Sequence, residues 1–392
     1  MKVIVHHRSR GLGIDTGNCG MRDSTGPPLD SSIVSSLDSP SQPGTPPSSI
    51  QSEHNWRPDQ FLDHYELLTV PLGEDPDGED PISATLVRKP GETETSRGAV
   101  LYVHGFTDYF FQEELAEFFH QRGYEFYALD LRKCGRSLSV HHTPHFTTDL
   151  AVYDEELNAA LDIVAEEIAG AGESPRILVA GHSTGGLVTA LWLDRLRKND
   201  PERHSRVAGL LLNSPWLDLQ GEAVLRTGAV AQVLAAAARF KPKTQVPREL
   251  SSAYGESLHS DAHGEWTYDL ERKPLSGFPV TFGWLNAVRQ GQLRLHRGLD
   301  VGVRVLVLRS DKTRFADDYD IAVDTADCVL DVRQIAQWSS SLGPRVLSVA
   351  IPDARHDVFL SKDSSRERAY EVVGEWLSCE LGDRADAGAE TA

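Results

Sequence analysis

The residues best suited to chemistry lie in the segment Gly181-His-Ser-Thr-Gly185, where a serine stands between two glycines. The preceding run Arg176-Ile-Leu-Val-Ala is typical of a buried strand, and a helix-like segment follows the second glycine. A serine between a strand and a helix occupies a tight, strained turn, so its neighbours must be small. This context predicts that Ser183 is a nucleophile, with the positive N-terminal end of a helix beside it.

A serine that attacks a carbonyl carbon makes the carbonyl oxygen negative in the transition state. Two backbone N–H groups directed at this oxygen stabilise it, and one such donor contributes about 3 kcal/mol. One candidate is the N–H of Thr184, which directly follows the serine. The other is the N–H of Phe106, because the strand-like run at 99–103 ends in His104-Gly105. We therefore predict an oxyanion hole formed by Phe106 and Thr184.

The serine also needs a general base, because a hydroxyl is a weak nucleophile at neutral pH. In sites built on a strand-turn-helix serine, the chain order is serine, acid and histidine. The run Arg345-Val-Leu-Ser-Val-Ala-Ile has the character of a last strand, and His356 is the single histidine in the loop after it. We predict that His356 accepts the proton of Ser183.

Two aspartates compete for the role of the acid that orients this histidine. Asp311 directly follows the strand-like run 303–308, which is the favoured place by distance alone. Asp327 stands four residues before Asp331, a residue with the character of a helix N-cap. If Asp327 is the acid, residues 312–326 are an insertion, and Asp331 is a third candidate.

Short apolar runs alternate with helix-like segments from residue 61 onward, which is typical of a mostly parallel sheet covered by helices. Four apolar residues after Asp149 recur at helical spacing and predict an amphipathic helix. They are Leu157, Leu161, Val164 and Ile168. The eight runs that read as strands are 64–70, 82–88, 99–103, 124–129, 176–180, 207–212, 303–308 and 345–350.

The alternation is interrupted between residues 215 and 300, a stretch that we interpret as an inserted helical cap. Its portion 230–238 is rich in alanine and other strong helix formers. Three tryptophans of the insert are suited to lining an acyl pocket, and packing within the cap is the simpler role for each of them. They are Trp216, Trp266 and Trp284.

The two ends of the chain differ in composition from its middle. Between Ser24 and Ser49, 17 of 26 residues are Ser, Pro or Gly, which is too little apolar surface to offset the entropy of ordering. We predict four regions along the chain. They are a disordered tail at 1–52, an α/β core at 53–214 and 301–382, the cap at 215–300, and a flexible tail at 383–392.

The charge balance excludes one class of partner. The chain has 58 acidic and 39 basic residues and a net charge of −19, which argues against a surface for nucleic acid phosphates. No run approaches the roughly 18 apolar residues of a membrane span, and the N-terminal apolar run is too short for a signal peptide. We expect a cytoplasmic protein without an integral membrane span, and its oligomeric state is left open.

The cysteines and a histidine cluster offer little evidence of a metal site. The four cysteines are far apart and form no C-x-x-C pair, which indicates neither a zinc site nor a disulfide framework. His141, His142 and His145 have a spacing that could bind a metal, but no acidic or cysteine ligands complete the set. A polar loop is the simpler interpretation of these histidines.

Four segments together resemble the lysophospholipase, monoacylglycerol lipase and serine aminopeptidase branch of the α/β-hydrolases. They are His104-Gly-Phe-Thr-Asp108, Leu129-Asp-Leu-Arg-Lys-Cys-Gly-Arg-Ser137, Gly181-His-Ser-Thr-Gly185, and the late aspartate and histidine. The resemblance covers about residues 55 to 380. The second segment departs from the turn Asp-x-x-Gly-His-Gly-x-Ser that is usual in this branch, because the core of that turn is replaced.

The resemblance implies an α/β-hydrolase fold with a cap over the nucleophile, no cofactor, no metal, and a small-molecule acyl-ester or lipid-like substrate. It also favours Asp327 over Asp311, because the acid in this branch lies four residues before a helix. The function implied is ester hydrolysis through an acyl-enzyme on Ser183. Acyl transfer or peptide hydrolysis by the same triad, and a non-catalytic binding role, remain the alternatives.

Overall fold

The structure is a computed structural model, and it describes residues 54–91, 96–169, 175–219, 228–247 and 250–381. The tails that we predict at 1–52 and 383–392 lie outside the described residues.

Within the described residues, nine strands form one sheet in the order β1-β2-β3-β5-β4-β6-β7-β8-β9. The strands β4 to β9 are parallel, and β1, β2 and β3 extend one edge in antiparallel fashion. Their bounds are β1 (Arg57–Pro58), β2 (Glu66–Gly73), β3 (Ile82–Arg88), β4 (Gly98–Val103), β5 (Tyr124–Asp130), β6 (Ile177–His182), β7 (Val207–Asn213), β8 (Arg304–Ser310) and β9 (Val346–Ile351). The mostly parallel sheet is confirmed: all eight predicted strands are present, and the two-residue β1 is the addition.

Helices cover both faces of the sheet. Those in the described residues are α1 (Glu113–His120), α2 (Asp154–Glu167), α3 (Thr184–Asn199), α4 (Pro201–His204), α5 (Gly228–Phe240), α6 (Ala253–Leu258), α7 (Phe282–Leu295), α8 (Val332–Trp338) and α9 (Asp363–Glu380). Successive residues of a strand point to opposite faces. In β4, Leu101 packs in the layer that contains α2 and α3, whereas Val100 and Tyr102 pack in the layer with α1 and α9.

Two of these helices correspond to segments predicted from the sequence. The amphipathic helix predicted after Asp149 is α2, and Asp149 itself caps a short 3₁₀ turn before it by accepting from the N–H of Ala151. The alanine-rich run at 230–238 lies within α5. None of the helices in the described ranges is long and apolar enough to cross a membrane.

The sheet brings distant parts of the chain to one edge. In a parallel sheet the carboxyl ends of the strands meet at the same side. The loops after β4, β6, β8 and β9 therefore approach one another, and they carry Phe106, Ser183, Asp327 and His356 respectively. The region 215–300 between β7 and β8 contributes α5, α6 and α7.

Candidate active site

Ser183 is the single residue between β6 and α3, and its backbone has the φ of +52° and ψ of −117° of a strained turn. A positive φ in a residue with a Cβ costs on the order of 1–3 kcal/mol and must be held by its surroundings. The N–H of Ser183 donates to the carbonyl of Asn213 at 2.9 Å, and its carbonyl accepts from the N–H of Trp216 at 2.9 Å. Ser183 is thus bonded to the last residue of β7 and to the segment that follows it.

The glycines around the serine are required by close packing. A Cβ at Gly185 would collide with the carbonyl oxygens of Val103 and His104 at the end of β4. A Cβ at Gly181 would lie 2.7 Å from the Thr189 hydroxyl oxygen. Only glycine lets the turn approach the neighbouring strand this closely.

The structure brings Ser183, His356 and Asp327 together. The Nε2 atom of His356 lies 3.0 Å from Ser183 Oγ, and its Nδ1 atom lies 2.9 Å from Asp327 Oδ2. The other carboxylate oxygen of Asp327 accepts from the N–H groups of Val329 and Leu330 at 2.8 and 2.7 Å. With Nδ1 donating to the carboxylate, Nε2 directs its lone pair at the serine hydroxyl.

The other two candidate acids lie elsewhere. Asp311 is exposed, and its carboxylate accepts from the N–H of Asp353 at 3.0 Å, which is a turn-stabilising contact. Asp331 is the N-cap of α8 and accepts from the N–H of Arg333. Of the three aspartates, Asp327 is the one whose carboxylate bonds to His356.

The loop after β4 lies directly beside the serine. A Cβ at Gly105 would be 3.0 Å from Ser183 Cβ. The His104 ring fixes this loop: its Nε2 accepts from the N–H of Leu131 at 3.1 Å, so its Nδ1 carries the proton and donates to the Gly105 carbonyl at 2.7 Å. Neither of the two predicted oxyanion donors, the N–H groups of Phe106 and Thr184, has an acceptor among the described residues.

A second set of polar residues, which sequence reasoning missed, supports the histidine. The carboxylate of Asp357 accepts from Asn213 Nδ2 at 2.6 Å and from Gln112 Nε2 at 3.3 Å. The N–H of Asp357 donates to the Tyr254 hydroxyl at 3.2 Å, and the Tyr254 ring packs edge-on against His356. An acidic residue next to the predicted base was the only signal of this layer in the sequence.

The His182 ring also packs against His356, with 4.9 Å between the two ring centroids. Burial lowers the pKa of His182. The His182 ring is therefore neutral at pH 7 and adds no positive charge beside His356.

The turn after β5, whose sequence departs from the usual one, is held by contacts of Lys133 and Cys134. Lys133 adopts a φ of +59°, a conformation that favours glycine, and its buried ammonium pairs with Asp75 at 2.8 Å and Glu79 at 3.1 Å. Cys134 Sγ lies 3.1 Å from His145 Nδ1. Burial raises the pKa of the Cys134 thiol and lowers the pKa of His145, so both groups are neutral. Among the described residues, no group of three or more His, Cys, Asp or Glu side chains could hold a metal ion.

The strand order, the strained serine turn and the loops at the carboxyl edge define an α/β-hydrolase fold. The sequence model of the family described as Serine aminopeptidase, S33, matches residues 94–322. This match spans more than half of the chain, and the protein belongs to that family. The fold and the resemblance predicted from the sequence are confirmed.

Solved structures support the same fold. A soluble variant of monoglyceride lipase from Saccharomyces cerevisiae superposes with a TM-score of 0.58 and 19% identity, over 79% of this chain and 95% of that chain. A lipase in an open form gives a TM-score of 0.55 and 16% identity, over 81% of this chain and 99% of that chain. A hydrolase from Agrobacterium vitis S4 superposes with a TM-score of 0.51 and 15% identity, over 79% of this chain and 98% of that chain. At these identities the likeness concerns the fold alone. No curated protein sequence matches the chain.

Proposed function

We propose that the protein hydrolyses carboxylic esters through an acyl-enzyme on Ser183. The observation that carries this proposal is the continuous hydrogen-bonded chain from Ser183 Oγ to His356 at 3.0 Å and from His356 to Asp327 at 2.9 Å. An imidazole between a hydroxyl and a buried carboxylate is the arrangement that activates a serine nucleophile.

In the first half of the proposed reaction, Ser183 Oγ attacks the ester carbonyl carbon while His356 Nε2 takes the hydroxyl proton. The resulting oxyanion accepts from the N–H groups of Phe106 and Thr184. When the intermediate collapses, the C–O bond to the alcohol breaks and His356 returns the proton to the leaving oxygen. Asp327 stays ionised and stabilises the imidazolium.

In the second half, water attacks the acyl-enzyme and His356 takes one proton from it. Collapse of this second tetrahedral intermediate breaks the bond to Ser183 Oγ, which recovers its proton from His356. The products are one carboxylic acid and one alcohol, and no cofactor is consumed.

An aromatic cluster beside the serine supports an apolar acyl group as substrate. The Phe106 and Trp284 ring centroids lie 3.9 Å apart, and those of Trp284 and Trp216 lie 5.7 Å apart. The backbone N–H of Trp216 donates to the carbonyl of Ser183. The buried carboxylate two residues after Phe106, Asp108, is already paired with a lysine, so it is not free to bind the ammonium group of an aminoacyl substrate.

The insert at 215–300 has the contacts expected of a cap. Its residue Tyr254 packs against the His356 ring, with 5.5 Å between ring centroids. Ser183 itself is only 8% exposed. We propose that the insert covers the site and moves to admit substrate.

Labelling with a fluorophosphonate probe tests the nucleophile. We expect label on the parent, none on Ser183→Ala, and full label on Ser378→Ala, whose hydroxyl lies on the exposed face of α9. Circular dichroism should show that all three proteins are folded. A folded parent that takes no label, or label that survives in Ser183→Ala, would refute the proposed function.

A comparison of substrates tests the reaction class. We expect turnover of p-nitrophenyl butyrate and octanoate to exceed that of an aminoacyl p-nitroanilide, with free acid as the product. Faster cleavage of the anilide would identify a peptidase. If added alcohol diverts most of the acyl group into a new ester, the protein is an acyltransferase.

A further inference from the structure

The three residues that follow Phe106 each form a polar contact with the insert. Phe278 donates its N–H to Thr107 Oγ1 at 3.0 Å. Lys273 Nζ lies 2.7 Å from Asp108 Oδ1. The next residue, Tyr109, accepts with its hydroxyl from the N–H of Asp269 at 2.8 Å. These contacts place residues 269–278 of the insert along residues 107–109 of the core.

Thr107 shows why such support is needed. Its φ is +54°, in the left-handed region that a β-branched residue rarely adopts. Strained backbone persists only where the surroundings fix it. Because Thr107 directly follows Phe106, its conformation sets the direction of the loop that presents the Phe106 N–H.

Charge makes the central contact different from the other two. Asp108 and Lys273 are both buried, and the lysine ammonium lies over the rings of three aromatic residues. These are Phe111, Tyr254 and Tyr268. Burial alone would raise the pKa of Asp108, but the ammonium of Lys273 holds that pKa below its usual value. Asp108 is therefore a carboxylate at neutral pH.

A buried negative charge next to an oxyanion hole works against the reaction, because the substrate oxygen also becomes negative. Asp108 lies two residues from the Phe106 N–H. The positive charge of Lys273 cancels that of Asp108 at a hydrogen-bonding distance. Without Lys273, the developing oxyanion would face an uncompensated carboxylate that is only 2% exposed.

We propose that Lys273, a residue of the insert, is a positioning residue of the oxyanion hole, which neutralises Asp108 and holds it against the cap. This inference rests on the proposed ester hydrolysis. It gives the insert a part in transition-state stabilisation in addition to covering the site.

Kinetics of Lys273→Met test the proposal. Loss of one oxyanion-hole donor lowers kcat by about 10²–10³-fold in hydrolases of this kind, and we expect a fall of about 10²-fold with KM changed less than threefold. The affinity of an alkylboronic acid, which forms a tetrahedral adduct on the serine, should fall by the same factor as kcat/KM. A purely structural loosening of the cap would change KM and stability without this parallel loss.

The matched control is Lys243→Met. Lys243 is also an insert lysine paired with a core carboxylate, at 2.8 Å from Glu79, and none of its ion pairs or hydrogen bonds involves residues 104–109. We expect its kcat within twofold of the parent. Equal losses of kcat in Lys243→Met and Lys273→Met would show that the loss is not specific to the ion pair with Asp108, and would overturn the proposal.

Asp108→Asn separates charge from structure. Removing the carboxylate leaves a positive charge near the oxyanion, so we expect kcat within about tenfold of the parent, unlike Lys273→Met. The double variant Asp108→Asn with Lys273→Met should be at least tenfold faster than Lys273→Met alone. If the two single variants lose activity equally, or the double variant recovers nothing, Lys273 has no electrostatic role.

The proposal can be tested even if one of the variants does not fold. If Lys273→Met fails to fold, as the unpaired buried carboxylate could cause, Asp108→Asn decides alone, and a 10²-fold loss of kcat in that folded variant refutes the proposal. All comparisons use a parent that labels with fluorophosphonate. A parent without ester turnover refutes the proposed function itself, whereas an active parent with an unimpaired Lys273→Met refutes only the role of Lys273.

Discussion

Different interactions hold two regions of the molecule in place. One region is the sheet, and the other is the part of the insert at 243–278, here called the docking segment. The central strands β4 and β6 are buried along their whole lengths between two apolar layers. Among the described residues, the docking segment shares a small apolar cluster with the core and is also held by ring contacts, ion pairs and single hydrogen bonds. Apolar burial scales with area and is insensitive to pH, whereas each polar contact depends on one partner and its charge.

This difference assigns separate tasks to the two regions. The sheet places the candidate triad, because each member follows the carboxyl end of a strand. The docking segment bonds to the loop after Phe106 and to the layer behind His356. We infer that the first region sets the geometry of the nucleophile and the second tunes it.

The largest effect is expected at the acid placed by the sheet. In Asp327→Asn the imidazole loses the carboxylate that fixes its tautomer, so kcat should fall about 10⁴-fold. Ester turnover measures it, and Asp311→Asn, which alters an exposed turn, should stay within twofold of the parent. If Asp311→Asn is the inactive variant, the acid has been assigned to the wrong aspartate.

A second test concerns the apolar attachment of the sheet. Leu101 in β4 is fully buried, and Leu101→Ala should lower the free energy of unfolding by about 3 kcal/mol through lost burial and a cavity. Urea unfolding measures this loss. Leu347→Ala, at an exposed position of β9, is the matched control and should cost less than about 0.5 kcal/mol. Equal costs at the two positions would contradict the view that burial holds the sheet together.

A third test concerns the aromatic cluster at the boundary of the two regions. Trp216→Leu removes part of the apolar surface beside the serine, so the preference for octanoate over butyrate esters should fall about tenfold. Trp266→Leu is the control, because Trp266 donates to the Leu360 carbonyl outside this cluster. The ratio of kcat/KM values for the two esters measures the effect. A ratio unchanged in Trp216→Leu assigns Trp216 to ordinary packing.

The two regions also differ in how much the sequence could reveal. Strands and the serine turn depend on local patterns, namely apolar runs and glycine spacing, so their positions could be predicted within three residues. The contact between Lys273 and Asp108 joins residues 165 apart in sequence, and no local pattern signals such a pairing. The choice between Asp311 and Asp327 was only partly predictable. A local pattern, the helix N-cap four residues later, favoured Asp327, but the path of the loop determines which aspartate reaches His356.

The insertion predicted at 312–326 illustrates the same limit. Its residue Asp324 accepts from the fully buried Arg355 at 2.8 Å, next to His356 in sequence. This ion pair ties the loop of the acid to the loop of the base. A buried ion pair such as this one cannot be predicted from residue types alone, since most arginines and aspartates are exposed.

The smallest expected effect is the pH dependence of a docking contact. Glu79 accepts from Lys243 of the docking segment, from Lys133 and from Thr143. Burial alone would raise the pKa of Glu79, but these bonds lower it to about 2 from an ordinary value of 4.5. A carboxyl with a depressed pKa in the folded state contributes stability that is complete above the unfolded value and is lost as the pH falls toward 2. Glu79→Gln should therefore cost about 1 kcal/mol at pH 7, since its partner Lys243 is partly exposed, and progressively less between pH 5 and pH 3.

Urea unfolding of Glu79→Gln and Leu101→Ala at pH 7, 5, 4 and 3 sets the polar attachment against the apolar one. The difference between parent and Glu79→Gln should shrink with acidification, because the protonated parent glutamate no longer holds its lysine partners by charge. The difference between parent and Leu101→Ala should stay constant, since no titrating group is removed. If the Glu79→Gln difference is independent of pH, the contact of Glu79 with the docking segment stabilises through packing, and the contrast between the two regions does not extend to this site.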